Sequence, residues 1–265
     1  MSQPLQRLLA LRYQELERMG ALPGVRDAGF RVYSQVDEDG ILLYIFSLIG
    51  TRTKRCIELA FGSPYEANTT NLLCNWGWQG LLIEADEAKV LHATEYFSRH
   101  PDTWYDPPKV VSSWVTKENV NAILAEHDFT GEIDLLSLDV DGNDWWFWKE
   151  LEVVRPRVVV VEYNNLWDSE RAVTVPYQAD AAYDPREPTL HLGASLLAFV
   201  KLGREKGYRL VGSNRFDYNA FFVADGEGED ALPSVPVDTC LMHPARTHGH
   251  REFLPLVENL EWIEV

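Results

Sequence analysis

Short runs of Val, Leu and Ile, each ending in acidic or amide residues, alternate along this chain with longer stretches of mixed apolar and polar residues. The clearest case is residues 133–164. Two apolar runs, at 135–138 and 158–161, flank an aromatic-rich segment of helical length. About 30 residues in strand, helix, strand order suit a right-handed crossover between parallel strands, and near-continuous Val and Leu is what strands buried on both faces require. Asp139, Asp141, Gly142, Asn143 and Asp144 follow the first run, and Glu162, Tyr163, Asn164 and Asn165 follow the second. Ligands of open α/β sheets bind at the carboxyl ends of strands. The active site is expected there.

The same alternation predicts strands at 55–60, 80–84 and 109–112, with helices at 69–76, from Asp86 to about 97, and from a Thr116 cap to about 126. Residues 34–40 are polar and lead into a helix too apolar for the surface, which reads as a helix cap or the wall of a pocket. Residues 4–19 form an amphipathic helix whose apolar arc carries Leu5, Leu8, Leu9, Leu16 and Met19, for covering the sheet or a partner subunit. A helix at 194–206 ends at Gly207, and strands at 208–211 and 219–223 form an antiparallel pair. The expected architecture is α/β, a mainly parallel sheet with helices on both faces and a terminal antiparallel hairpin. Residues 166–190 have no periodicity and read as a substrate-facing lid. The expected organisation is an N-terminal helical extension (1–33), a main domain (34–225) with that insertion, and a C-terminal tail (226–265).

Composition narrows the function. A formal net charge of -17 disfavours nucleic acid as partner, because affinity for phosphate backbones rests on Lys and Arg. The longest apolar run, 41–46, is far short of a membrane span, and residues 1–20 lack a signal-type apolar run, so a cytoplasmic protein without membrane contact is expected. Cys56, Cys74 and Cys240 form no CxxC and read as buried free thiols.

Glu58 ends the first strand, where it could hold an amine or hydroxyl of a cofactor. Glu84 ends the second, the position of the acid that binds ribose hydroxyls in nucleoside-binding folds. The intervening loop, ELAFGSPYEANT, has Gly62 alone in place of a glycine fingerprint, which argues against a dinucleotide. A nucleoside without a pyrophosphate, such as S-adenosylmethionine, needs less from this loop.

Four blocks, SQVDEDGILLYIF, EANTTNLL with GWQGLLIEAD, DLLSLDVDGNDWW and RPRVVVVEYN, followed by GASLLAFVKLGREKGYRLV and NAFFV, resemble the FkbM-related class I S-adenosylmethionine-dependent methyltransferases over residues 34–223. The resemblance implies the Rossmann-like class I methyltransferase fold with seven strands, S-adenosylmethionine as cofactor, and methylation of a hydroxyl on a small molecule. It places Glu58, Gly62, Asn68 and Thr69 beside the methionine part, Glu84 at the ribose, Ser113 and Trp114 at the adenine, and Asp139 and Asp141 facing the methyl group and acceptor. Ala60 and Pro64 stand where related proteins tend to have Gly, which restricts the loop's backbone.

Transfer of a methyl group to a hydroxyl needs alignment, exclusion of water and a base. Asp141 is the first candidate base and His191 the second. In a metal-assisted variant Asp139, Glu162 and Asn164 would hold Mg²⁺. Trp145, Trp146 and Trp148 suit either acceptor stacking or the core. The competing reading is a non-catalytic binding protein that kept the fold after its cofactor loop changed. The N-terminal helix makes a homodimer plausible.

Overall fold

The computed structural model describes residues 1–181, 186 and 189–265. Residues 182–185, 187 and 188 of the lid expected at 166–190 therefore lie outside the described residues.

The elements in chain order are α1 (Gln3–Arg18), α2 (Glu38–Ile49), β1 (Arg55–Leu59), α3 (Thr70–Trp76), β2 (Gln79–Glu84), α4 (Glu87–Arg99), β3 (Lys109–Ser112), α5 (Val120–Glu126), β4 (Gly131–Leu138), α6 (Asp144–Glu150), β5 (Val154–Glu162), β6 (Val173–Thr174), α7 (Leu196–Lys206), β7 (Tyr208–Ser213), β8 (Asn219–Ala224), α8 (Pro244–Glu252), α9 (Leu254–Val257) and β9 (Ile263–Glu264). Seven strands form one sheet in the order β3-β2-β1-β4-β5-β8-β7. The first five pair in parallel, and β8 runs antiparallel to both β5 and β7. This is the Rossmann-like architecture expected, with its terminal antiparallel hairpin. Strand order reverses between β1 and β4, so the chain leaves these neighbours in opposite directions and opens a crevice at their carboxyl ends.

Alternation along each strand divides the core in two. Leu136, Leu138, Val159 and Val161 face the layer of α5, α6 and α7, whereas Leu135, Val158 and Val160 face the layer of α2, α3 and α4. Trp145 and Trp148 belong to the first layer, where Trp148 packs on Phe199, Tyr208 and Phe222. They are core residues and unavailable to an acceptor. The three cysteines are free and buried.

Two local expectations are corrected. Helix α1 turns only part of the expected arc inward: Leu9 and Leu16 pack on the core, Leu5, Leu8 and Met19 are exposed, and Gln6 and Tyr13 are buried. Gln6 exchanges amide hydrogen bonds with Asn71 at 3.0 Å and accepts from Trp76 Nε1 at 2.9 Å, while Tyr13 meets Tyr44 edge-on. Helix α5 begins at Val120, because Thr116 and Asn119 bond each other's backbone N–H with their side chains and form a turn first.

The tail and the insertion share a second sheet, β6 pairing antiparallel with β9. Leu166, Trp167, Val173, Leu254 and Val257 form a small core beneath it. The two segments are thereby held together beside the carboxyl ends of β4 and β5. No helix among the described residues is long and apolar enough to cross a membrane.

Candidate active site

Glu58 lies at the base of the crevice. Its carboxylate accepts from Asn68 N at 2.8 Å and from Thr69 N and Oγ1 at 2.9 and 2.5 Å. Asn68 also donates from its side chain to Ser137 at 3.1 Å. Glu58, Asn68 and Thr69 therefore shape the loop in front of α3 and fasten it to β4. Burial pushes Glu58 up to about 7 against the pull of those three donors.

Glu84 ends β2. Its Oε1 accepts the N–H groups of Ala85 and Asp86, and its Oε2 accepts from Gly62 N at 3.1 Å. A carboxylate offers about four acceptor sites, so one remains on the Oε2 side. The side chain lines an open cavity of about 210 Å³ together with Ala60, Ser113, Trp114 and Asp141. The chain thus brings together the ends of β1, β2, β3 and β4 around one recess. Lys89 and Phe147 also line it, and neither was singled out in the sequence.

Ala60 adopts φ +55°, in the left-handed region where a Cβ is strained. The substitution noted in the sequence falls where glycine's freedom matters. Ala60→Gly removes that strain at the cost of a more flexible unfolded chain, and a net gain of up to about 1 kcal/mol is expected in thermal unfolding.

The acids after β4 are ordered by Asp144, whose carboxylate accepts from Val140 N at 2.9 Å and Gly142 N at 3.2 Å. Burial raises Asp144 to about 6 although these bonds oppose it. The resulting turn holds Asp141 at φ +51° and Gly142 at φ +138°. Asp141 is exposed and lines both the recess at Glu84 and an adjoining cavity of about 240 Å³ that also includes His191. Burial raises its pKa while Lys89 opposes the shift. His191 Nε2 donates to the Glu261 carbonyl at 2.8 Å and its ring meets Trp262 edge-on, so it is fixed by the tail.

Asp139, Asp141 and Glu162 each place a carboxylate oxygen within 4.8 Å of the others. Asn164, expected in a metal set with Asp139 and Glu162, is engaged elsewhere: its Nδ2 donates to the carbonyls of Leu190 and Leu192 and its Oδ1 accepts from Leu166 N. Its amide closes the insertion loop. Asp139 and Glu162 share a hydrogen bond; burial, reinforced by Asp144 and Asp141, raises Asp139 to about 7. Burial and the Asp139 charge raise Glu162 far above the ordinary carboxylate range. Two like charges cannot both be accommodated here, so Glu162 keeps its proton and donates to Asp139.

That arrangement has a stability consequence of definite sign. Carboxyls whose folded pKa is raised contribute stability at low pH and lose it as pH rises through the folded value, here about 7 for Asp139. Glu162→Gln keeps a donor for Asp139 and needs no proton from solvent. The variant should gain about 1–3 kcal/mol over the wild type at pH 8 and little at pH 5, measured by thermal unfolding at both values.

The insertion crosses the recess. Trp114 Nε1 donates to Ala179 O at 2.7 Å, Asn143 Nδ2 to Gln178 O at 2.9 Å, and Trp146 Nε1 to Val175 O at 2.9 Å. Residues 175–181 are therefore tied to three points around the site.

No family model matches the chain. No curated protein matches it either. Among solved structures it is similar to an O-methyltransferase from Bacillus cereus in complex with SAH, at 15% identity over 80% of this chain and 88% of that one, with a TM-score of 0.44. It is also similar to the N-terminal domain of EvdMO1 in the presence of SAH and D-fucose, at 17% identity, 82% and 94% coverage and a TM-score of 0.44. A third is a SAM-dependent methyltransferase from Aquifex aeolicus, at 13% identity, 66% and 84% coverage and a TM-score of 0.38. The fold assignment above rests on the strand order and pairing of this chain itself.

Proposed function

We propose that the chain is an S-adenosylmethionine-dependent methyltransferase acting on a small-molecule acceptor at oxygen. The observation that carries this reading is the recess at the ends of β1 to β4, lined by both Glu84 and Trp114, in a crevice at the reversal of strand order. An acid for a ribose, an aromatic surface for a base and one remaining acceptor site on Glu84 fit a nucleoside. Glu84, Ser113 and Trp114 would hold the nucleoside, and Gly62 with the loop fastened by Glu58, Asn68 and Thr69 would border the methionine portion. The cofactor would supply an electrophilic methyl group.

This chain's own residues have three tasks. The Glu162–Asp139 pair takes the acceptor's proton at Asp139, which is poised near neutrality. Asp141, in its left-handed turn, stands between the recess and the cavity that holds His191, where it orients the acceptor or serves as a second base. Residues 175–181 exclude water once the ligands are in place. Mg²⁺ on the three carboxylates is the alternative use of the same acids; loss of turnover in EDTA, restored by Mg²⁺, would replace proton sharing with metal binding.

Isothermal titration with S-adenosylhomocysteine tests the reading. Micromolar binding that weakens about 10- to 100-fold in Glu84→Ala is expected, since the lost bonds are charge-assisted. A folded protein that does not bind would favour the non-catalytic alternative. Ala60→Gly should bind more tightly than the wild type, because it removes a methyl group from the cavity wall.

A further inference from the structure

Glu162 also lines a cavity of about 410 Å³, walled by the insertion, the β7–β8 turn and the tail. Phe216, Tyr218, His248 and Phe253 supply aromatic rings, Glu162 stands on its wall, and Arg246 lines it as well. Phe216 and Tyr218 lie 6.4 Å apart at 59°, and His248 meets Phe253 edge-on. Rings arranged in this way present faces and edges to a flat guest.

Arg246 is held in a fixed pose: Nε donates to Asn165 O at 2.9 Å and Nη2 to Trp167 O at 2.7 Å. Nη1 makes no hydrogen bond, and no carboxylate lies within 4.0 Å of the guanidinium, among the described residues. A half-buried guanidinium oriented by two carbonyls, with no carboxylate in contact among the described residues, is prepared for an oxyanion, most favourably a carboxylate. Asp168 and Asp238 act on it only from beyond 4.0 Å, and Asp144, which also lines the cavity, turns its oxygens to Val140 and Gly142.

We infer that this cavity is the acceptor site and takes a planar aromatic acid, its carboxylate on Arg246 and its hydroxyl directed to Glu162 and Asp139. The inference rests on the methyltransferase reading for its chemistry and on Arg246 and the rings for its substrate class. Small aryl acids fit the volume. The overall negative charge slows the approach of an anion but leaves the local contact intact, since screening in physiological salt limits distant charges to a Debye length of about 8 Å.

The test is calorimetric titration of the full chain with 4-hydroxybenzoate and, separately, with the neutral 4-hydroxybenzamide. Benzoate binding at least 10-fold tighter than the amide is expected, and Arg246→Gln should bring the two within about 2-fold. Arg246→Lys should restore part of the preference. Ala245→Phe, an exposed residue on the cavity rim, should weaken both probes while leaving S-adenosylhomocysteine affinity unchanged, and it keeps the test decisive if Arg246→Gln does not fold. Equal affinity for the two probes, no binding of either, or a preference that survives Arg246→Gln overturns the inference. S-adenosylhomocysteine titration on the same protein separates the two claims: its failure beside selective benzoate binding sinks the methyltransferase reading and leaves an aryl-acid site.

Discussion

Asp139→Asn is expected to lower kcat by about 10²- to 10⁴-fold with cofactor affinity nearly unchanged, the ordinary span for loss of a positioned base. Glu162 retains its proton in the wild type and points it at Asp139; an amide in place of Asp139 can still accept that bond, so the local structure should survive. What disappears is the capacity to take a proton. Asp141→Asn should cost far less, because its exposed carboxylate sits in the turn and not in the pair. Should Asp141→Asn instead remove turnover and Asp139→Asn spare it, the roles assigned to the two acids are reversed. Single-turnover rates with S-adenosylmethionine and a hydroxylated aryl acid would distinguish the cases.

The pH profile follows from the same pair. Asp139 acts only when ionised, so kcat should rise as pH passes through about 7 and level off above it. Stability should move the other way over this range, because the raised carboxyls favour the folded state while protonated. Activity and stability thus oppose each other between roughly pH 6 and 8. Glu162→Gln should uncouple them: it removes the penalty at high pH, while its amide keeps a donor for Asp139, so the activity midpoint should stay near 7.

The sheet was legible because strands buried on both faces leave little freedom: 135–138 and 158–161 admit almost only Val and Leu, and the acids after them mark where burial stops. Glu84 was legible for the same reason, being the polar end of GLLIE. Ala60 was noticed as a departure, and its φ of +55° shows why glycine suits that position. The cavity lined by Glu162 and Arg246 was not legible. Its walls come from Phe216, Tyr218, Arg246 and Phe253, in turns and tail segments without periodicity, and they meet there because β9 pairs with β6 across about 90 residues of sequence. The hydrogen bonds of Asn164 were not legible, because side-chain amides look alike whether they face a ligand or, as its Nδ2 does here, two loop carbonyls. The inward face of α1 was legible only in part: hydrophobicity selected Leu9 and Leu16 correctly, whereas Gln6 is buried because Asn71 and Trp76 satisfy its amide.

Arg157→Ala should be the most destabilising single change at the opposite end of the sheet, by about 3–5 kcal/mol. The guanidinium is 4% exposed, with Nη1 donating to Gly50 O and Asp134 Oδ1 at 2.9 and 2.8 Å, and Nη2 to Ile49 O and Glu227 Oε2 at 2.9 and 2.7 Å. It thereby ties the end of α2 to β4, β5 and the loop at Glu227. Burial alone would raise Asp134, but Arg157 and the N–H groups of Arg52, Lys54 and Thr53 hold it below the usual range. Arg157 also depresses Glu227. Truncation would leave Asp134 buried with its backbone donors but without its counter-ion, and two carbonyls without a donor. Because both acids have lowered folded pKa values, their contribution is present above the ordinary carboxylate pKa of about 4 and lost as pH falls below it. The gap between wild type and variant should therefore be widest near pH 7 and shrink at pH 3.5, in denaturant melts at each value. A gap independent of pH would assign the loss to packing and the carbonyl bonds instead of the ion pairs. Turnover per folded molecule should be unchanged, since Arg157 lies at the amino end of β5 and the acids proposed to react lie at the carboxyl ends of β4 and β5.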